Sequence, residues 1–164
     1  MPKTPFTIAT RLMHFGRYGG DAEDERLTDL FLGYPNLVRG YETGSFTAEE
    51  CGADGGCPVF DQLIGSRLAI ANVELRFPVV GLLTGEPWSG PIPIEMALFG
   101  DAGVDWTSEA SPKIFGGERS GVASAGMALR VAIQRFLTVE LDFVRPFNRP
   151  EKRFLFEFNV KTGF

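Results

Sequence analysis

The stretch Arg153-Phe-Leu-Phe-Glu-Phe-Asn-Val-Lys-Thr-Gly-Phe164 (RFLFEFNVKTGF) sorts its residues by parity. Phe154, Phe156, Phe158, Val160, Thr162 and Phe164 fall on one parity; Arg153, Leu155, Glu157, Asn159 and Lys161 fall on the other. Successive side chains of a β-strand project to opposite faces, so a period of two is a strand's signature. One face of this strand is aromatic and the other is mostly charged.

Upstream segments repeat the pattern. Leu137, Val139, Leu141 and Phe143 oppose Thr138, Glu140 and Asp142. Ala123, Ala125, Met127, Leu129, Val131 and Ile133 oppose Ser124, Gly126, Ala128 and Arg130. Ile94, Met96, Leu98, Ala102 and Val104 oppose Glu95, Ala97, Phe99 and Asp101. Ala69 to Val79 alternates in the same way, and a first strand from Phe6 to about Tyr18 does so less cleanly. Helical periodicity is almost absent. The expected fold is all-β, with about six strands of roughly 9–13 residues, the length a tilted strand needs to cross a bilayer.

Short connections (Arg135; Asn148-Arg149-Pro150-Glu151) alternate with long ones (Gly19 to Gln62; Trp106 to Ser120). That asymmetry predicts an antiparallel transmembrane β-barrel. Tyr18, Trp88, Trp106 and Phe147 fall near strand ends, where an interfacial aromatic girdle sits. The alternative is a soluble antiparallel sandwich or ligand-binding barrel with its apolar face inward. Three features favour the membrane reading. The strands exceed the usual length of about 5–6 residues. The apolar parity runs the whole strand, and the polar parity mixes charges of both signs as a lumen does.

Composition sets the outer limits. The chain has 164 residues, 44% of them hydrophobic, with 15 Phe and a net charge of −5. A chain this apolar is not disordered. Its acidic balance and lack of a basic cluster argue against nucleic-acid binding. No apolar run reaches the ~20 residues of a spanning helix. Met1 is followed by Pro2-Lys3-Thr4, without the charged and apolar regions of a signal peptide. Cys51-Gly-Ala-Asp-Gly-Gly-Cys57 has the spacing of a short disulfide, with free thiols as the alternative. A metal site would need more ligands, and His14 is the one histidine. There is no G-x-S-x-G, P-loop or Ser-His-Asp order, so no enzyme or cofactor is expected. Glu140, Asp142 and Glu157 read as lumen charges balanced by Arg130, Arg145 and Lys161.

One short island asks for a partner: Leu37-Val38-Arg39-Gly40-Tyr41 (LVRGY), inside a loop rich in Gly, Asp and Glu. It resembles the VRGF/VRGY signature of the outer-membrane protein 85 superfamily, the BamA- and TamA-like assembly factors and bacterial surface antigens. GSRLAIANVELRFPV (residues 65–79) resembles the strand after that loop. LFGDAGVDW (98–106) and SAGMALRV (124–131) resemble the family's next two strands. The aromatic strand ending at Phe164 completes the order, and the resemblance covers the whole chain.

The resemblance implies that residues 1–164 are a C-terminal barrel region and that 19–62 form a long loop folded into the lumen. It implies that Arg39, within Val38-Arg39-Gly40-Tyr41, pairs with Asp101, with Glu74 close by. The parity of the strands agrees, since Glu74 and Asp101 lie on the polar faces of neighbours. A guanidinium suits the role, because its planar fork bonds two carboxylates and stays charged. Phe154, Phe156, Phe158 and Phe164 resemble the β-signal read during insertion, with lipid-facing packing as the alternative reading. The implied location is the bacterial outer membrane, with lipid, client proteins or the assembly machinery as partners.

About six strands fall below the 8 or so of the smallest closed bacterial barrels. The chain is therefore expected to be part of a larger barrel, or to close by pairing with a second copy. Two functions follow, an assembly or translocation factor and a passive pore or anchor.

Overall fold

The computed structural model describes residues 6–34, 36–52, 55–79, 94–133 and 137–162. Eight strands are present among them: β1 (Thr7–Gly16), β2 (Leu30–Phe31), β3 (Ile64–Gly65), β4 (Arg67–Pro78), β5 (Ile94–Trp106), β6 (Val122–Ile133), β7 (Leu137–Pro146) and β8 (Leu155–Thr162). Six form one antiparallel sheet in the order β1-β4-β5-β6-β7-β8, and β2 and β3 form a separate two-stranded ribbon. Among the described elements the helical ones are one short turn, Pro58–Asp61, and three 3₁₀ turns. No described helix is long and apolar enough to cross a membrane.

Register aligns the apolar parities into rows. Ile8, Leu75, Leu98, Met127, Phe143 and Phe156 are successive cross-strand partners from β1 to β8. Their side chains are exposed on the outer face of the sheet. The opposite parity carries Glu74, Asp101, Glu140, Asp142 and Glu157, all buried on the concave side. The sheet thus has an apolar exterior and a polar lumen, the reverse of a soluble protein.

Two expectations need correction. Arg145 is not a lumen charge: it shares the parity of Leu141 and Phe143 and is exposed on the outer face. It lies one residue from the end of β7, where a long cationic side chain reaches the interface. The first strand is also shorter than expected, ending at Gly16. Arg17 instead donates its backbone N–H to Ser66. Trp88 and Phe164 lie outside the described residues, as does the Lys161 side chain.

The connections at one end of the sheet are 17–66, 107–121 and 147–154. The first folds back over the concave face and carries its own small core. Leu32, Val38, Tyr41 and Leu63 are fully buried and pack on Leu68, Ile70 and Val122 of the sheet. Gly103 makes room for this: a Cβ there would lie 2.8 Å from Val38 and 2.9 Å from Leu32. Cys51 and Cys57 are joined in a disulfide on the outer part of the same loop.

Candidate functional site

The loop's apolar residues anchor it, and its polar residues meet the strands. Arg39 Nε lies 2.7 Å from Asp101 Oδ2, and Nη2 lies 2.9 Å from Oδ1, a bidentate pair. Nη2 is also 3.0 Å from Glu74 Oε1, and Nη1 is 3.7 Å from Glu140 and 4.0 Å from Asp142. Its guanidinium carbon stands 3.4 Å above the centre of the Phe99 ring. One side chain therefore touches β4, β5 and β7, and the sheet curves around it.

Asn72 supports the pair, donating to Asp101 Oδ1 (2.8 Å) and to the Leu37 carbonyl (2.9 Å). Arg130 bridges Glu74 and Glu140, each at 2.7 Å, and Arg76 reaches Glu74 at 2.7 Å. The lumen holds a connected network of guanidinium and carboxylate groups. Every member needs its partners, because a buried charge left unpaired is far costlier than the pair is stabilising.

Gly40 is fixed on both sides. Its φ is +88°, in the left-handed region, and a Cβ would lie 2.9 Å from Val144 Cγ1. Its N–H donates to Glu157 Oε1 on β8 (2.9 Å), and its carbonyl accepts from Arg149 Nη1 (2.7 Å). The Tyr41 hydroxyl donates to the Ala123 carbonyl (2.9 Å) and accepts from the Asn148 N–H (3.1 Å). Val38, Arg39, Gly40 and Tyr41 together contact β4 to β8 and the β7–β8 turn.

Two participants escaped the sequence reading. Phe99 sat among polar residues of its parity, with nothing to mark it as a platform for a cation. Its cross-strand partner is Gly126, and a Cβ at Gly126 would lie 2.7 Å from the Phe99 ring and 2.1 Å from the Phe143 carbonyl oxygen. Gly126→Ala is expected to displace Phe99 and cost about 1–3 kcal/mol through overpacking. A lower urea midpoint in detergent, without loss of the folded gel band, would show it; an unchanged midpoint would refute the close fit.

In the sequence Arg149 is part of a short connection. It is fully buried and donates to both oxygens of Glu50, to the Ser45 hydroxyl and carbonyl and to Gly40, each at 2.7 Å. Phe46 lies 3.9 Å beneath it. The only signal in the sequence was an arginine next to a proline in a short connection.

A second carboxylate ties the connections together at the rim. Glu23 accepts from the Ser108 hydroxyl and N–H, both at 2.6 Å, and from the Ser66 hydroxyl at 2.7 Å. These bonds, Ser108 foremost, hold its carboxyl down to about 2 from the ordinary 4.5. A depressed folded-state value means the contribution is present at neutral pH and is lost as pH falls from 4.5 through about 2. Pepsin nicking of 107–121 is expected to rise across that window. A flat rate would show that Glu23 does not tether the loop.

Phe154, Phe156 and Phe158 are exposed on the outer face of the edge strand and the turn before it. Among the described residues no His, Cys, Asp or Glu cluster is arranged to hold a metal ion. A guanidinium already occupies the carboxylate-rich lumen.

A comparison with known proteins agrees with this architecture. The family model of the Omp85 superfamily domain matches residues 3–164. No curated protein and no solved structure matches the chain. The matched range covers all six strands of the sheet and the connections between them. The chain therefore belongs to the Omp85 superfamily, bacterial outer-membrane proteins that act as assembly or translocation factors rather than enzymes.

Proposed function

We propose that this chain supplies part of the barrel of an assembly, insertion or translocation factor, and that its working element is the edge strand β8. One observation carries the reading. β8 is the last strand of the sheet among the described residues, yet Glu157 on it is bonded to Gly40 of the lumen loop. The loop grips the edge strand from inside while the strand's other side remains available for pairing. An edge held in shape from inside, and closed on its other side by a weak seam that can open, is the template needed for β-augmentation by a client strand.

In this reading residues 1–164 act as one barrel unit, and 19–62 hold its register through Arg39. Phe154, Phe156, Phe158 and Phe164 supply the β-signal for the protein's own insertion. Edges β1 and β8 close against further strands of the same barrel or against a second copy, because unpaired edges are not tolerated in lipid. Outer-membrane lipid surrounds the convex face, and the location is the bacterial outer membrane.

The alternative is a passive pore or anchor. The test is the folding of a urea-denatured outer-membrane client into liposomes containing the refolded protein. Faster client folding than in empty liposomes supports the proposal. Ion conductance without acceleration points to a pore, and neither effect points to an anchor; both outcomes sink the assembly reading.

A further inference from the structure

The outer face is not uniformly bulky. Near the loop end, Leu12, Ala71, Ala102 and Ala123 are cross-strand partners on β1, β4, β5 and β6. Towards the middle of the sheet the corresponding row is Ile8, Leu75, Leu98 and Met127. The drop in side-chain size leaves a hollow, and the β5–β6 connection walls it. Pro112, Lys113 and Ile114 of that connection line the hollow together with Leu12 of β1. The hollow is an open groove of about 700 Å³ on the outer face.

The wall is held in place. The Lys113 N–H donates to the Arg119 carbonyl (2.9 Å), the Arg119 N–H to the Ser111 carbonyl (3.0 Å) and the Gly117 N–H to the Pro112 carbonyl (3.0 Å). The Arg119 side chain is fastened to the Asp61 carbonyl at 2.9 Å. A Cβ at Gly121 would lie 3.0 Å from the Gly103 carbonyl oxygen, so the connection also sits tightly on β5.

The charge at the mouth has one sign. Lys113 and Arg119 line the groove, and among the described residues no Asp or Glu does. Among the described residues neither cation forms an ion pair there with a carboxylate. Trp106 and Tyr18 mark this level as the membrane interface. Trp106 stacks on His14 with ring centres 5.5 Å apart, and the Tyr18 hydroxyl is 2.7 Å from His14 Nε2. An apolar trough that opens at headgroup depth beneath two cations matches one molecule shape.

We propose that this groove binds a bilayer lipid with a phosphate-bearing anionic headgroup. Its acyl chain lies on Ala71, Ala102 and Ala123 between Leu12 and Ile114, and its phosphate meets Lys113 and Arg119. The proposal does not depend on assembly activity.

Trp106 reports on the site. In a Trp88→Phe chain refolded into phosphatidylcholine vesicles it is the only tryptophan, and lipids brominated on the acyl chain quench it on contact. Brominated phosphatidylglycerol is expected to quench at an about fivefold lower mole fraction than brominated phosphatidylcholine. Lys113→Gln with Arg119→Gln should remove that preference, and Ala102→Leu should weaken quenching by both lipids while leaving the folded gel band. Equal quenching by the two lipids in the parent chain would overturn the proposal. So would a preference that survives the double substitution, or quenching that ignores Ala102→Leu. If Trp88→Phe does not fold, native mass spectrometry of the unsubstituted chain decides: retained phosphatidylglycerol but not phosphatidylcholine supports the site, and equal retention overturns it.

Discussion

Arg39→Glu is expected to abolish the heat-modifiable folded band on a cold gel, in detergent and in liposomes. Adding Asp101→Arg to the same chain is expected to restore part of it. Among the described residues, three guanidinium groups (Arg39, Arg76, Arg130) face five carboxylates (Glu74, Glu95, Asp101, Glu140, Asp142) in the lumen network. Removing one cation strands at least Asp101, which loses both charged hydrogen bonds and keeps Asn72 as its side-chain donor, at about 3–5 kcal/mol. Reversing its charge adds repulsion to that. Whole-domain stability is about 5–15 kcal/mol, so the effect is decisive. Arg39→Lys separates charge from shape: it keeps the cation, loses the fork and its stacking on Phe99, and should fold with a lowered urea midpoint. If Arg39→Glu folds like the parent, the lumen network does not hold the loop, and the register-setting role proposed for 19–62 fails with it.

The residues that strands organise were readable, and those that turns organise were not. Parity alone separated Leu141 and Phe143 from Glu140 and Asp142, because a strand's side-chain period is fixed by its backbone. The same arithmetic put Glu74 and Asp101 on one face of adjacent strands. The resemblance of LVRGY to a family motif supplied the arginine that meets them. Parity did not reveal what crosses the strands. Phe99 lies opposite Gly126 rather than another large side chain, and that pairing depends on a register no single strand encodes. Arg145 shows the opposite failure. Its charge suggested the lumen, but its odd position obeys the pleat and points outward. The loop conformation was the least legible part. Gly40 looks like any turn glycine until Val144 is placed 2.9 Å from its absent Cβ.

Arg149→Ala is expected to rival Arg39→Glu in effect, although 149 is a turn position. Its guanidinium is fully buried, and five hydrogen bonds run from it to a single neighbouring loop. Truncation leaves the Glu50 carboxylate without its arginine and the Gly40 carbonyl without the donor that holds it. Hydrogen bonds to charged groups contribute about 1.5–3 kcal/mol each, so two lost at Glu50 alone give a change of several kcal/mol. Hydrogen bonds from Arg149 also hold the Glu50 carboxyl below its ordinary value, so acid should mimic the mutation. The stabilisation is present above the ordinary carboxylate range and fades as pH falls through the lowered one. In the parent chain, trypsin cleavage after Arg39 should be slow, because Gly40 is clamped from Glu157 and Arg149 together. In Arg149→Ala that bond should open first, ahead of global unfolding, since the strands keep their own ladders. Cleavage after Arg39 that stays slow in Arg149→Ala would show that the Arg39 lumen pairs, Glu157 and Tyr41 suffice to seat the loop. The clamp would then belong to the stability of the β7–β8 turn rather than to the grip on the edge strand.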